Sequence, residues 1–330
     1  EHLSIRYRKG SLMKISKDTT LQALAEQFGA EHLIPGGQHF SAENRLMTLQ
    51  QLHDQNPTWA VEDMVKGLER LLCAPQPAYV PLGGDPVPNL VALPSRRKTT
   101  DAFVILLAGG AYGAVCTLCE SLPAAAELNE MGMDCYCLNY RTATPESFVS
   151  GLMPKPLEDL AAAIRTIQAL RGKESTYYVA GFSAGGHLAA LWGTAATGAP
   201  RYGLPLPAGL LLGYPLISLN HIPEPMGGYF RKGLFGSKES PELVRLYDAA
   251  GQMTPEYPPF YLARAANDST VSLQDGDEMA NAAWHCKVRY KVETGLTGGH
   301  GFGPGTGTPL EGWLTRGILF LNPAATHCTK

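Results

Sequence analysis

The sequence lacks the features that mark membrane-spanning and nucleic-acid-binding proteins. Its 330 residues contain no apolar run long enough to form a membrane-spanning helix, which needs about 18 or more such residues. Basic residues are not in excess, since 27 lysines and arginines stand against 30 aspartates and glutamates, a formal charge of −3. Nucleic-acid-binding proteins usually carry a clear basic excess, so we expect neither a membrane nor a nucleic acid as partner.

A secretory pattern is also lacking. Residues 1–13 include Arg6, Arg8 and Lys9 but no apolar core of the kind that a signal peptide carries. The chain has seven cysteines, an odd number, and it is too large to need disulfides for stability. These observations predict reduced thiols and a cytoplasmic location.

The cysteine spacing offers one alternative, a zinc site. Cys116 and Cys119, together with Cys135 and Cys137, loosely resemble the spacing of a zinc ribbon. However, Cys135 and Cys137 alternate along a predicted buried strand, where small apolar thiols are common. We therefore expect no metal site and no cofactor.

Two hydrophobic textures divide the chain into a predicted N-terminal helical appendage, residues 1–75, and a predicted catalytic domain, residues 76–330. Three helices are expected in the appendage, capped by Asp18 or Thr19, by Thr48 and by Thr58. The third carries a one-sided apolar stripe that must be buried. We expect the appendage to pack near the mouth of the site or to form a homodimer contact, and a self-contained bundle on a linker is the alternative.

Strand and helix patterns alternate after a proline-rich stretch. Several strands are continuous apolar runs, such as Phe103–Leu107, which are typical of a parallel sheet covered by helices on both faces. The predicted fold class is therefore α/β, with a mostly parallel sheet. Candidate strands cover residues 90–93, 102–108, 133–140, 176–181, 209–214, 260–265 and 288–293.

The strongest chemical signal is the pentamer Gly181-Phe182-Ser183-Ala184-Gly185, which matches G-x-S-x-G. A predicted strand precedes it and a helical pattern follows, as a nucleophile elbow requires. Flanking glycines permit the tight turn, and the serine hydroxyl then stands at a helix N-terminus, where negative charge is favoured. Ser183 is the predicted nucleophile.

A base and an acid are expected downstream, in that order of chain position: serine, acid, histidine. His300 lies in a glycine-rich loop after the last strand and is the predicted base. Asp268 follows the next-to-last strand and is the predicted acid. The competing residues are placed elsewhere by their patterns: His221 in an early loop, His285 on a helix face, His187 in a packing or hydrogen-bonding role on the elbow helix, and Asp275 and Asp277 farther along a helix.

An oxyanion hole completes the predicted chemistry. The backbone N–H of Ala184 should supply one donor, because it follows the nucleophile. The second should come from the loop after the strand at 102–108, at Gly110 or Ala111. The spacing of a dinucleotide-binding loop, with its downstream acid, is absent there.

These features together resemble the α/β-hydrolase carboxylesterases, including small acetyl esterases and the acetylxylan and feruloyl esterase-like group. The resemblance covers about residues 80 to 330, and the helical appendage lies outside it. Ala108 departs from the family, which usually has His or Pro there, and Ala111 stands where Gly is common, so the oxyanion loop is expected to differ in shape. The resemblance is carried by residues 108–112, 138–141, 181–188, 257–259 and 299–303.

The resemblance implies the α/β-hydrolase fold and hydrolysis of small acyl esters, foremost acetyl esters of a carbohydrate or similar alcohol. A small-molecule or oligosaccharide ester is the expected partner. A feruloyl esterase and a formamidase-like amidase would use the same three residues and remain alternatives, as does a non-catalytic binding module on the same fold. The segment from Ile217 to Glu256 is expected to shape the substrate pocket.

Overall fold

The computed structural model describes residues 13–74, 78–83, 86–172 and 174–322. The basic residues near the N-terminus and the predicted boundary between residues 75 and 76 lie outside these ranges.

An eight-stranded sheet forms the centre of the molecule, with strands in the order β1-β2-β4-β3-β5-β6-β7-β8. The strands β1 and β2 pair antiparallel, β2 pairs antiparallel with β4, and all other neighbours are parallel. The predicted α/β class with a mostly parallel sheet is confirmed. The strands are β1 Tyr79–Pro81, β2 Asn89–Leu93, β3 Phe103–Leu107, β4 Asp134–Asn139, β5 Tyr177–Phe182, β6 Gly209–Gly213, β7 Phe260–Ala265 and β8 Tyr290–Gly295.

Helices connect the strands and cover the sheet. Because β3, β5 and β6 are buried along their whole length, their side chains meet helices on both faces. The α-helices of the described residues are α1 Leu21–Phe28, α2 Ala30–Leu33, α3 Leu49–Gln55, α4 Val61–Leu72, α5 Ser121–Glu130, α6 Ser147–Ser150, α7 Lys155–Arg171, α8 Ser183–Trp192, α9 Met226–Phe235, α10 Pro241–Leu246, α11 Leu273–Cys286 and α12 Trp313–Leu321.

The N-terminal helices share the hydrophobic core of the sheet region. The predicted apolar stripe of α4 is buried, with Met64, Leu68 and Leu71 at most 3% exposed. Where α4 crosses α5 the approach is so close that a Cβ on Gly67 would lie 2.8 Å from the Leu122 carbonyl carbon. The appendage therefore packs on the larger region, as expected, rather than lying free of it.

Helix capping follows the predictions in part. Thr48 caps α3 and forms a capping box with Gln51. The cap of α1 is Thr20, one residue beyond the predicted Thr19. The predicted cap at Thr58 was wrong, because α4 begins at Val61 and Thr58 contacts the C-terminal half of the chain instead.

Among the described residues we find no helix whose length and hydropathy suit a membrane crossing.

The crossing of α4 and α5 gives a prediction in which two effects have opposite sign. In an unpacked helix, Gly67→Ala would stabilise the protein by about 1 kcal/mol through helix propensity. At this crossing the added methyl has no room, and overpacking should destabilise by roughly 1–3 kcal/mol. We expect a melting temperature a few degrees below that of the wild type, measured by calorimetry. Glu69→Ala, at an exposed position of the same helix, is the control, and a higher melting temperature for Gly67→Ala would contradict the packing.

Candidate active site

Ser183 stands at the turn between β5 and α8, in a left-handed conformation with φ of 52°. Such a conformation is strained for a residue with a side chain and persists only where its surroundings enforce it. Neighbouring glycines make the turn possible by their lack of side chains. A Cβ on Gly185 would lie 2.1 Å from the Leu107 carbonyl oxygen, and one on Gly181 would lie 2.3 Å from the Gly185 oxygen.

The three residues predicted as nucleophile, base and acid lie in one line of hydrogen bonds. The Ser183 Oγ is 2.9 Å from His300 Nε2, and His300 Nδ1 is 2.8 Å from Asp268 Oδ2. Because a carboxylate only accepts, Nδ1 carries the hydrogen and Nε2 is free to accept from the hydroxyl. The other oxygen of Asp268 accepts the backbone N–H groups of Thr270 and Val271 at 2.8 and 2.9 Å.

The environment of Asp268 favours its ionised form. Burial alone would raise the pKa of this carboxyl, but the hydrogen bond and charge of His300, with the two amides, hold it below its ordinary value. Asp268 therefore stays an acceptor for the imidazole. The side chain of Asp268 is 3% exposed and that of His300 is 17% exposed. The carboxylate is therefore shielded from solvent, whereas the imidazole is partly accessible.

The competing histidines and aspartates have other partners. His221 lies between Asp275 and Glu278, with Nδ1 2.9 Å from Asp275 Oδ2. Asp277 forms an ion pair with Arg264 at 2.7 Å. His285 lies exposed on α11, with Nδ1 2.7 Å from the Asn281 carbonyl.

The loop of residues 108–113, here called the oxyanion loop, lies against Ser183. A Cβ on Gly109 would stand 2.7 Å from the Ser183 Cβ, so only glycine fits. Gly110 has φ of 128° and Ala111 has φ of 53°. The family's usual glycine at position 111 suits this conformation, which an alanine here adopts under strain. Within the described residues, the backbone N–H groups of Gly110, Ala111 and Ala184 donate to no partner.

His187 links this loop to the rest of the site, in the hydrogen-bonding role that its position on the elbow helix predicted. Tyr112, at φ of 57°, donates its hydroxyl to His187 Nδ1 at 2.8 Å. The Nε2–H of His187 donates to the Tyr247 carbonyl at 2.8 Å. Because His187 is fully buried, burial lowers its pKa to about 4, and the ring stays neutral at ordinary pH.

Sequence reasoning missed a buried acid beneath the oxyanion loop. Glu120 Oε2 accepts the Gly109 N–H at 2.5 Å, and Oε1 accepts the Tyr214 hydroxyl at 3.0 Å. The Tyr214 oxygen in turn accepts the N–H of Gly303, in the loop of residues 298–303 that we call the histidine loop. A single acidic residue between apolar stretches was the available signal.

The N-terminal region also contacts the histidine loop. The Thr58 hydroxyl donates to the His300 carbonyl at 2.7 Å, and the Thr306 hydroxyl donates to Asp63 at 2.8 Å. The carbonyl contact lies on the backbone of the predicted base. The appendage therefore lies beside the histidine loop, which agrees with the first of the two placements expected from the sequence.

No residues in the described ranges form a cluster suited to hold a metal ion. Cys116, Cys119, Cys135 and Cys137 are buried free thiols whose pKa values burial raises, so they stay protonated. Their positions, on β4 and after the oxyanion loop, are thus explained by packing in the apolar core.

Comparison with known proteins identifies the fold. The BD-FAE family model matches residues 91–200, a segment that contains the oxyanion loop and Ser183 but neither Asp268 nor His300. An acetyl ester-xyloside bifunctional hydrolase from Caldicellulosiruptor lactoaceticus is 25% identical, with a TM-score of 0.59 over 77% of this chain and 96% of that one. The carboxylesterase Cest-2923 from Lactobacillus plantarum shares the fold at 24% identity and a TM-score of 0.53, over 65% and 80%. These solved structures are α/β-hydrolase esterases, and the chain shares their fold, so the fold that the resemblance implied is confirmed.

A further relative is named for a different activity. An endo-1,4-beta-xylanase B from Butyrivibrio fibrisolvens is 26% identical over 237 residues, which are 69% of this chain and 36% of that protein. The chain thus spans about a third of its relative's length. Glycoside hydrolysis ordinarily uses two carboxylic acids that flank the bond, whereas the site described here joins a serine, a histidine and one aspartate.

The buried His187 gives a prediction for stability against pH. Its pKa is about 4 in the folded protein and 6.5 in a model peptide, so the unfolded chain binds more protons between these values. Folding stability from this group is therefore lost as pH falls from 6.5 to 4, by roughly 3 kcal/mol. We expect His187→Gln to lose less stability than the wild type over this range, measured by urea unfolding at each pH. His285→Gln, at an exposed site, is the control, and parallel wild-type and His187→Gln curves would disprove the assignment.

Proposed function

We propose that this chain is a serine carboxylesterase that removes small acyl groups, foremost acetyl, from esters of carbohydrates or similar alcohols. The observation that carries the proposal is the unbroken hydrogen-bond line from Ser183 through His300 to Asp268. A serine hydroxyl is a weak nucleophile unless an adjacent base accepts its proton, and a third group must orient that base.

In the first step, Ser183 Oγ attacks the ester carbonyl carbon while His300 Nε2 takes the hydroxyl proton. Asp268 holds the Nδ1–H and stabilises the imidazolium that forms. The tetrahedral intermediate then collapses, the bond to the alcohol oxygen breaks, and His300 returns its proton to that oxygen. The alcohol leaves, and the acyl group remains on Ser183 as an ester.

In the second step, water takes the place of the alcohol. His300 accepts a proton from the water as its oxygen attacks the acyl carbon, and a second tetrahedral intermediate forms. Its collapse breaks the bond to Ser183 Oγ, which regains the proton from His300, and the carboxylic acid is released.

Negative charge on the tetrahedral oxygen is stabilised by backbone N–H groups. The Ala184 amide is at the N-terminus of α8, where the helix dipole adds to its effect. Gly110 and Ala111 supply the remaining donors from the oxyanion loop. These three amides donate to no partner among the described residues, which leaves them available to the oxyanion. For Ala184, which is buried, this supports the role further, since buried amides are otherwise almost always paired.

Support for a carbohydrate ester comes from the relatives. The solved structure with 25% identity is named an acetyl ester-xyloside hydrolase, and it is covered over 96% of its length. Feruloyl ester or amide hydrolysis would require the same three residues, so the choice of acyl group depends on the walls of the pocket. We predict that acetyl esters are turned over fastest in a panel of acetyl, butyryl and feruloyl esters and a formamide. A preference for the feruloyl ester would reassign the acyl specificity and leave the serine mechanism unchanged.

Removal of the nucleophile tests the mechanism. Ser183→Ala should lower kcat by about 10⁴-fold or more, and Asp268→Asn by about 10⁴-fold, because the imidazole then loses its orientation. Hydrolysis of an activated acetyl ester measures both. Ser150→Ala and Asp277→Asn, at exposed positions away from the site, are the matched controls and should stay near the wild-type rate. More than a tenth of wild-type activity in Ser183→Ala would refute the nucleophile.

A further inference from the structure

We infer that Glu120 is a positioning residue for the reaction, whose buried carboxylate joins the oxyanion loop to the histidine loop and stabilises positive charge on His300. This inference rests on the proposed function. Glu120 was not among the site residues predicted from the sequence, and it contributes no atom to the bonds that form or break.

The contacts of Glu120 reach both loops. Its Oε2 receives the Gly109 N–H at 2.5 Å, and Gly109 is the residue that packs directly on the Ser183 Cβ. Its Oε1 receives the Tyr214 hydroxyl, whose oxygen receives the Gly303 N–H at 3.1 Å. Fixing Gly109 orients the next two amides of the oxyanion loop, and fixing Gly303 holds the backbone three residues after His300.

The hydrogen-bond pattern favours an ionised carboxylate. Gly109 N–H and the Tyr214 O–H both point at Glu120 as donors, and Gly303 N–H points at the Tyr214 oxygen. A protonated Glu120 that donated to Tyr214 would leave the hydroxyl hydrogen of Tyr214 without an acceptor among the described residues. The ionised form satisfies every donor.

Among the described residues, His300 is the one charged group that acts on Glu120. The titratable groups around it are the Tyr140 and Tyr214 hydroxyls and the Cys116 and Cys119 thiols. Burial raises the pKa of each of them, so they stay neutral. Burial raises the pKa of Glu120 above its ordinary value, and the Gly109 N–H, the charge of His300 and the Tyr214 hydroxyl limit that rise. Glu120 and His300 therefore interact across a poorly screened interior.

This interaction changes during catalysis. The imidazole is neutral before attack and positively charged in each tetrahedral intermediate, so a nearby fixed carboxylate stabilises the intermediates more than the ground state. The Tyr214 ring packs edge-on against the His300 imidazole, with ring centroids 5.1 Å apart. The carboxylate of Glu120, which binds the Tyr214 hydroxyl, therefore helps to position the imidazole. Asp268 and Glu120 thus supply negative charge from two sides of the site.

The test compares Glu120→Gln with Glu127→Gln, a half-buried glutamate on α5 that accepts the backbone N–H and the hydroxyl of Thr315 away from the site. We expect Glu120→Gln to lower kcat by about 10- to 100-fold with little change in KM. The acid limb of its rate profile should move to lower pH, because the imidazolium loses a stabilising charge. Glu127→Gln should remain within about 2-fold of the wild type at unchanged pH profile.

Two further variants test position and charge. Tyr214→Phe breaks the link to Gly303, so kcat should fall by about 10-fold. Glu120→Asp also keeps the charge and should retain the wild-type acid limb. If Glu120→Gln has the wild-type kcat and acid limb at a melting temperature near that of the wild type, the inference is wrong. If Glu120→Gln does not fold, a wild-type kcat in Tyr214→Phe overturns the positioning role and a shifted acid limb in Glu120→Asp overturns the charge role.

The same variants are assayed for the second-order rate at which a fluorophosphonate reacts with Ser183. A wild-type protein that hydrolyses no ester would refute the proposed function, yet this rate still compares the variants. A rate equal to wild type in Glu120→Gln would then contradict the inference by itself.

Discussion

The site depends on one close backbone approach, between the turn after β3 and the turn after β5. The parallel register sets Leu107 opposite Gly181, so both strands end at the same level of the sheet. Beyond that level, the chain at Gly109 and Gly185 comes so near its neighbours that no side chain fits at either residue. Only this approach brings the amides of the oxyanion loop to the side of Ser183, and the remaining elements serve to maintain it.

Buried polar groups maintain this close approach. They are needed because the turns themselves are strained. Ala111, Tyr112, Ser183 and Tyr214 all have positive φ, a conformation that costs of order 1 kcal/mol or more for each residue with a side chain. Tyr112 is secured by His187 and Tyr214 by Glu120, at sequence separations of 75 and 94 residues. The polar interior of this protein thus offsets backbone strain at the point where the chemistry is proposed.

These long sequence separations explain why some features of the fold and site could be predicted from the sequence and others could not. Strands were predictable because their apolar runs are local. The proximity of Ser183, Asp268 and His300 was predictable because each follows a strand in a fixed chain order, and their roles stay a proposal. Thr58 looked like a helix cap by local rules, yet a tertiary contact with His300 determines its position. Glu120 left no periodic pattern at all, and only its charge beside the apolar stretch at 121–126 set it apart.

The bond between Thr58 and the His300 carbonyl spans 242 residues, which has a consequence for synthesis of the protein. At roughly 5–20 residues per second, a ribosome needs on the order of 10 to 50 seconds to make the chain between them. During that time the N-terminal helices have no histidine loop to pack against, and their apolar faces stay exposed unless another protein shields them. A segment made early is therefore completed by one made 242 residues later, and no shortened translation product ending before His300 can assemble this site.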